Sequence, residues 1–136
     1  MNRAFLDTNI FIRYLTNDDP QKADRVDNLL DRAARGEITL VTADVILAEI
    51  VWVLESFYKL QPPDIAEKIK AILCTPGLSV LSRADMNHVL RTYSEHNVDF
   101  IDALMAGIMK KSGIDQVYSF DRKHLNRISE IKRLEP

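Results

Sequence analysis

The amino-acid sequence predicts an α/β fold, in which a mostly parallel sheet of four or five strands carries helices on both faces. Short apolar runs that are typical of strands alternate with longer segments in which apolar residues recur at helical spacing. No tight-hairpin signal joins consecutive strand candidates, so each strand is expected to return through a helix, which places the strands parallel. The length of 136 residues suits one compact domain spanning residues 1–136.

Five short segments have the composition of β-strands. Residues 4–6 are apolar and lead directly into Asp7, as a buried strand does before a turn. The fourth segment leads in the same way into Asp121, and the last is expected at the edge of the sheet. In chain order, the expected strands are residues 4–6, 38–42, 78–81, 117–120 and 131–134.

Six segments carry helix signals. Thr8 or Asn9 has a suitable side chain to cap the first helix, and Pro20 and Pro62 suit the starts of the second and the fourth. Gly36 is a typical residue just past a helix end. In chain order, the expected helices are one ending near residue 15, then 21–35, 44–58, one from 62 to about 76, 84–96 and 100–112.

Composition places few limits on function. The net charge is −2, which does not by itself predict binding to nucleic acid. If four acidic residues serve a metal ion, 20 less four leaves 16 against 18 basic residues, so the remaining surface would tolerate an anionic substrate. The apolar runs fall well short of the ~20 residues that cross a bilayer, and the single cysteine, Cys74, suits a reducing cytoplasm. We therefore expect a cytoplasmic protein without a membrane contact.

Glu49 is the most informative acidic residue, because it interrupts an apolar run at residues 45–54. A carboxylate in a buried run must stay neutral, find a cation or bind a metal ion. A buried salt bridge, or a head group that reaches water at the edge of the helix, would also explain it. Metal binding accounts best for apolar flanks on both sides.

Asp99 and Asp102 lie three residues apart, so they share roughly one face of the helix expected at 100–112. Asp99 also has the position of an N-cap, which is a sufficient structural reason for it. Asp102 is followed by the small residues Ala103, Ala106 and Gly107, which favour close helix packing and an inward-facing carboxylate.

Asp7 and Asp121 directly follow predicted strands. Ligands of open parallel sheets bind beyond the carboxyl ends of the strands, which is where these two carboxylates would project. Capping or turn formation explains each one separately, and the same holds for Thr8 and Asn9 after Asp7. If Asp7, Glu49, Asp102 and Asp121 converge, they form an all-oxygen site for a hard divalent cation.

Other chemistries fit the sequence less well. The three histidines, His88, His96 and His124, lack the paired spacing of a zinc site. The chain has no phosphate-binding loop, no dinucleotide-binding glycine pattern and no nucleophile elbow.

Four segments, in their order and spacing, resemble the PIN-domain nucleases, and among these the VapC-type toxins of prokaryotic toxin–antitoxin pairs. They are residues 5–9 (FLDTN), 47–54 (LAEIVWVL), 99–106 (DFIDALMA) and 119–121 (SFD).

The resemblance implies a three-layer α/β/α fold and a ribonuclease that depends on Mg²⁺ or Mn²⁺. It implies a metal site in which Asp7, Glu49 and Asp102 are the core acids, Asp121 is a more variable fourth acid and Asp99 an additional one. By the same resemblance, Thr8 and Ser119 match polar residues that support the site. Asn9, by its position after Asp7 and Thr8, is a further candidate for hydrogen-bonding support. The resemblance further implies a homodimer and an antitoxin partner whose basic side chain enters the acidic site.

The chemistry expected of such a site is hydrolysis of RNA by a water that the bound cation activates, leaving a 5′-phosphate and a 3′-hydroxyl. Single-stranded or looped RNA is the expected substrate. Six basic residues are candidate phosphate contacts: Arg13, Lys110, Lys111, Arg122, Lys123 and Arg127.

Three alternative functions remain open on the sequence. The chain could be an RNA-processing nuclease outside a toxin pair. It could be a phosphatase with Asp7 as nucleophile, although the second aspartate that such sites usually carry two residues later is replaced by Asn9. It could also be a non-catalytic module whose acids receive a basic peptide.

Overall fold

The structure is a computed structural model that describes residues 2–136. The chain forms two compact units, Met1–Leu81 and Ser82–Pro136, and each is described by itself. The first unit contains β1 (Arg3–Phe5), α1 (Thr8–Leu15), α2 (Pro20–Ala34), β2 (Thr39–Ala43), α3 (Asp44–Ser56), α4 (Pro62–Leu73) and β3 (Leu78–Leu81). The second contains α5 (Met86–Glu95), α6 (Phe100–Lys111), β4 (Gln116–Tyr118), a short 3₁₀ helix (Leu125–Arg127) and β5 (Lys132–Leu134).

The first unit is built on a three-stranded parallel sheet with β2 in the middle. In the register of the sheet, Ala4 of β1 pairs with Leu40, and Val41 pairs with Ser79 of β3. Leu40, Val41 and Thr42 are all buried, which explains why β2 is a continuous run rather than an alternation of apolar and polar residues. The Thr42 hydroxyl donates to the Leu6 carbonyl at 3.2 Å, so the one polar side chain of this run is satisfied.

The helices of the first unit bury one face each against this sheet or against one another. On α3 and α4 the fully buried positions recur at helical spacing. These core residues are Leu47, Ile50, Leu54, Ile65, Ile69 and Ile72. Gly77, with φ of +78°, occupies the turn before β3, and a Cβ there would collide with the backbone of Ala33.

The second unit packs α5 against α6 and carries a two-stranded parallel sheet. The close contact between the helices depends on Gly107, where an added Cβ would lie 2.7 Å from Cγ2 of Val89. The small side chains Ala103 and Ala106 are also buried, which confirms that this side of α6 faces inward. In the sheet, Val117 of β4 pairs with Arg133 of β5.

The predicted α/β class is confirmed, and every strand pairing is parallel. The five strands lie in a three-stranded and a two-stranded sheet instead of in one sheet. Three of them, β1, β4 and β5, are three residues long, and each pairs with a single neighbour. One domain over residues 1–136 stays a prediction. Within residues 2–136, no helix combines the length and the apolarity that crossing a bilayer requires.

Candidate metal-binding site

In the first unit, the acids Asp7 and Glu49 are linked through Thr8. Asp7 follows β1 by two residues and is the N-cap of α1, where its Oδ1 accepts from the Thr8 backbone N–H at 2.7 Å. The hydroxyl of the buried Thr8 donates to Oε2 of Glu49 on α3, also at 2.7 Å. The expectation that Thr8 or Asn9 caps this helix was wrong, because the cap is formed one residue earlier. Thr8 instead connects the two elements that carry the acids.

Glu49 is exposed, which corrects the expectation that it lies in a buried run. The residues one turn away on the same face, Val45 and Trp52, are 66% and 64% exposed. Leu47 and Ile50 form the buried side of α3. The apolar sequence around Glu49 therefore covers both faces of a helix that is only half-buried, and solvation of the carboxylate needs no metal.

An open depression of about 400 Å³ surrounds this pair of acids. Its wall includes Asp18, which binds Arg13 at 3.1 Å and accepts from the Tyr58 hydroxyl at 2.6 Å. The hydrogen bond from Tyr58, followed by those from Thr16 and Arg13, holds the pKa of Asp18 below its ordinary value. Asp18 thus stays ionised next to Arg13, which also belongs to the wall of this depression.

In the second unit, Asp99 and Asp102 lie at the start of α6, and Asp121 follows β4. Asp99 is the N-cap residue of α6, but its side chain makes no capping hydrogen bond. The imidazole ring of His124 lies close to all three carboxylates. Its Nδ1 lies 3.6 Å from an oxygen of Asp99, 3.8 Å from one of Asp102 and 4.0 Å from one of Asp121.

The two inner carboxylates of this cluster have opposite pKa shifts. Burial raises the pKa of Asp102, and the charges of Asp99 and Asp121 raise it further, while His124 opposes them. Backbone N–H groups of His124 and Lys123 donate to Asp121 and hold its pKa below the ordinary value. An acid that ionises more readily than usual thus lies next to one that ionises less readily than usual.

Ser119 supports the position of Asp121 from the preceding strand end. Its hydroxyl accepts from the Asp121 backbone N–H at 3.0 Å. Its carbonyl accepts from the Arg133 guanidinium at 2.8 Å, which ties the turn to β5.

Asp99, Asp102 and His124 have the geometry of a metal-binding group. One ligand atom of each lies within 4.8 Å of the other two. Carboxylate oxygens with one imidazole nitrogen suit Mn²⁺, and the carboxylates alone suit Mg²⁺. Together, the three residues form a candidate cation site.

The PIN-domain family model matches residues 4–131 of the chain. The chain belongs to the PIN-domain family. The resemblance read from the four sequence segments is thereby confirmed. The PIN domain is 29% identical over 119 residues to a VapC ribonuclease of Aquifex aeolicus (strain VF5), which covers 87% of both chains. A crystal structure of VapBC2 from Rickettsia felis, bound to a DNA fragment from the promoter, matches with a TM-score of 0.43 and 18% identity. That match covers 99% of this chain and 98% of the other.

The basic residues that the sequence singled out as phosphate contacts of the PIN domain are for the most part engaged within the chain. Lys110 lies 3.7 Å from Glu130, and Arg122 lies 3.1 Å from Glu135. Arg127 donates to the Asn97 carbonyl. Lys111 and Lys123 are exposed.

His124 is the residue of this PIN domain that the sequence analysis missed. It was considered only as a zinc ligand, for which its spacing to other histidines is wrong. The signal that would have found it is its position three residues after Asp121, in a turn that folds back on the acid through two backbone hydrogen bonds.

Proposed function

We propose that this PIN domain is a metal-dependent endoribonuclease. The observation that carries the proposal is the acidic cluster around Asp102, in which Asp99, Asp102 and His124 can share one cation. Family membership and the similarity to a VapC ribonuclease support RNA as the substrate.

The cofactor that fits the chain is Mg²⁺ or Mn²⁺. The raised pKa of Asp102 reflects partial burial and then the like charges of Asp99 and Asp121, and a divalent cation would offset the cost of both. When bound, the ion would orient and acidify a water and neutralise charge that develops on the phosphate. The residues proposed to bind metal are Asp7 and Glu49 in the first unit and Asp99, Asp102 and Asp121 in the second, of which all but Asp99 are also proposed as catalytic.

The residues around these acids set their positions and charge. Thr8 holds the Glu49 carboxylate through a 2.7 Å hydrogen bond, which fixes the rotamer that a ligand must adopt. The turn after β4 holds Asp121 ionised through two backbone donors. His124 provides a nitrogen near three carboxylates and completes the ligand set in the second unit.

The proposal is tested by cleavage of total cellular RNA with Mg²⁺ or Mn²⁺, with the new 5′-phosphate ends mapped. Wild-type protein should produce discrete ends, and Asp7→Asn and Asp102→Asn should produce none, because each removes a charged ligand. Asp115→Asn makes the same chemical change at an exposed position of the second unit and should cleave like wild type. Identical maps from wild type and Asp102→Asn would exclude the assignment and trace any cleavage to a contaminating nuclease.

We further propose that the nuclease is the toxin of a toxin–antitoxin pair and acts in the cytoplasm. Beside Glu49, the large side chains Val45, Trp52 and Phe57 are exposed, which supports a protein partner such as an antitoxin or a second copy of this chain. Production of the protein should arrest bacterial growth, and Asp102→Asn should relieve the arrest. An RNA-processing nuclease would cleave RNA in the first experiment and leave growth unaffected in this one.

A further inference from the structure

A second depression, between α1 and α2 of the first unit, carries positive charge. Its volume is about 410 Å³, and its wall includes the side chains Arg13, Lys22 and Arg25. No carboxylate belongs to the part of its wall that the described residues form. We refer to it as the α1–α2 cleft.

The charge of the α1–α2 cleft is available to a ligand. Arg13 and Lys22 each contact one acid, Asp18 at 3.1 Å and Asp19 at 3.9 Å, and both pairs are solvent-exposed. Exposed pairs of this kind are weak and exchange readily for another anion. Arg25 forms no ion pair with any residue between 2 and 136, although it is exposed and lies one turn after Lys22 on α2.

The cleft continues into the depression that contains Asp7 and Glu49. Asn9 and Arg13, which are one turn apart on α1, belong to the walls of both. A linear polymer bound across α1 would therefore contact carboxylates at one end and cationic side chains at the other. Ile10 and Leu29 add apolar surface to the cationic end.

We propose that the α1–α2 cleft binds a backbone phosphate of single-stranded RNA, together with the sugar or base next to it, beside the bond that is cut. The inference rests on the proposed function, since it takes the depression at Asp7 and Glu49 as part of the cleavage site. Lys22 and Arg25 supply the charge, and Arg13 spans the two depressions. Ile10 and Leu29 accept the apolar face of the nucleotide. Repeating phosphates with apolar faces between them match this alternation better than an acidic protein segment does.

The experiment measures binding of a short fluorescein-labelled single-stranded RNA in EDTA, over a range of salt concentrations. EDTA removes the metal ion that the proposed hydrolysis needs. The assay therefore measures RNA binding by the cleft separately from nuclease activity. The variant is Lys22→Ala with Arg25→Ala. The matched control is Lys68→Ala with Lys70→Ala, which removes the same charge from α4 of the same unit.

We expect the cleft variant to lose about tenfold in affinity at physiological salt, and its log–log salt slope to fall by about 0.7, the value for one lost phosphate contact. The control should stay near wild type. Equal affinity of the cleft variant and wild type would overturn the proposal, as would an equal loss in the control, which would indicate diffuse charge. If RNA affinity is unchanged but a polyaspartate peptide loses affinity for the variant, the cleft belongs to an acidic protein segment and the proposal is wrong.

The two proposals fail in different ways. Specific loss of binding in EDTA, with no cleavage by wild type in Mn²⁺, would keep the cleft and remove the nuclease. If wild type cleaves RNA in Mn²⁺ but the cleft variant binds RNA as well as wild type does, the nuclease proposal stands and the cleft proposal is wrong.

Discussion

The hydroxyl of Thr8 is a small group with two consequences, for stability and for metal affinity. It is buried, and it joins α1 to the Glu49 carboxylate at 2.7 Å. Thr8→Val keeps the shape and removes the hydrogen bond, so we expect a loss of about 1 kcal/mol in the free energy of unfolding. Because Glu49 loses its orienting partner, Mn²⁺ affinity should fall about tenfold. Urea denaturation and metal titration measure the two effects.

A matched control for this substitution is Thr75→Val. The hydroxyl of Thr75, just after α4, donates to the Ala71 carbonyl, so the same chemical change is made where the partner is a backbone carbonyl and not a proposed metal ligand. The control should leave metal affinity unchanged. If Thr8→Val also leaves it unchanged, Thr8 has a purely structural role.

Asp18 provides a test of electrostatics by pH. Its pKa is lowered chiefly by the Tyr58 hydroxyl, so Tyr58→Phe should raise it toward the ordinary value near 3.9. A carboxylate with a lowered pKa stabilises the fold above its unfolded pKa, and that stabilisation is lost as the pH falls through the folded pKa. The stability difference between wild type and Tyr58→Phe should therefore shrink on acidification below about pH 4.

The pKa of Asp18 is followed directly by NMR of its carboxyl carbon. Tyr118→Phe removes the same hydroxyl from an exposed tyrosine of the second unit and serves as the control. If Asp18 has the same pKa in wild type and in Tyr58→Phe, the Tyr58 hydroxyl is not the cause of the lowered pKa.

At the scale of single residues, the sequence identified the acids but not their surroundings. The capping role considered for Asp121 is present in its two backbone hydrogen bonds. The choice between a buried and a water-reaching Glu49 could not be made, because an apolar run does not reveal that Val45 and Trp52 face solvent while Leu47 and Ile50 face the core. The contact of His124 with three acids depends on a turn whose geometry no periodic pattern encodes.

Among the helices, the packing of α5 on α6 gives the sharpest prediction. Alanine is intrinsically the better helix former by about 1 kcal/mol, yet Gly107→Ala should destabilise the protein by about 1–3 kcal/mol. The reason is that the new methyl group would lie 2.7 Å from Cγ2 of Val89 and 3.2 Å from Cβ of Ala84. Chemical denaturation measures the change.

A double-mutant cycle separates this clash from other effects of the substitution. In a Val89→Ala background the methyl group at position 107 fills space that the valine vacated, so Gly107→Ala should cost less there. A cost that is the same in both backgrounds would show that contact with Val89 is not the cause.

Element boundaries were predictable where local chemistry fixes them. Pro20, Pro62 and Gly36 mark helix ends in the structure as they did in the sequence. The start of α1 was not predictable, because Asp7, Thr8 and Asn9 are all good caps. Only the hydrogen bond from the Thr8 hydroxyl to Glu49, on another helix, decides among them. The lengths of β1 and β4 are also set by their pairing partners.

For the whole molecule, metal binding should appear as thermal stability. A cation held only by the folded state stabilises it by about 2.7 kcal/mol at one hundred times its dissociation constant. Mg²⁺ or Mn²⁺ should therefore raise the Tm of wild type and of Asp115→Asn, and EDTA should reverse the rise. Asp102→Asn should lose most of it.

In the metal-free protein, Asp102→Asn is expected to have the opposite effect on stability. Burial and the charges of Asp99 and Asp121 raise the pKa of Asp102, so its ionised form costs stability above that pKa. The cost shrinks as the pH falls below the folded pKa and is gone below the unfolded pKa. Asp102→Asn in EDTA should thus be at least as stable as wild type at neutral pH. A strongly destabilised variant would show that Asp102 is a structural residue.

The family and fold class were accessible from sequence because four ordered segments extend along nearly the whole chain, and the family match covers residues 4–131. The distribution of five strands over two sheets was not accessible, because strands of three residues carry too little pattern to specify their neighbours. The net charge of −2 likewise concealed the cationic α1–α2 cleft, since a sum contains no information about position.

The exposed face of α3 has a spectroscopic consequence. The chain contains a single tryptophan, Trp52, which is 64% exposed and follows Glu49 by three residues on the same helix. Its fluorescence therefore comes from one place, with no second indole to dilute the signal. A protein partner that covers this face should shift the emission to shorter wavelength, whereas Mn²⁺ at the neighbouring carboxylate should quench it. The protein thus carries an intrinsic optical probe that, without any label, distinguishes binding of a protein partner from binding of Mn²⁺ at this face of α3.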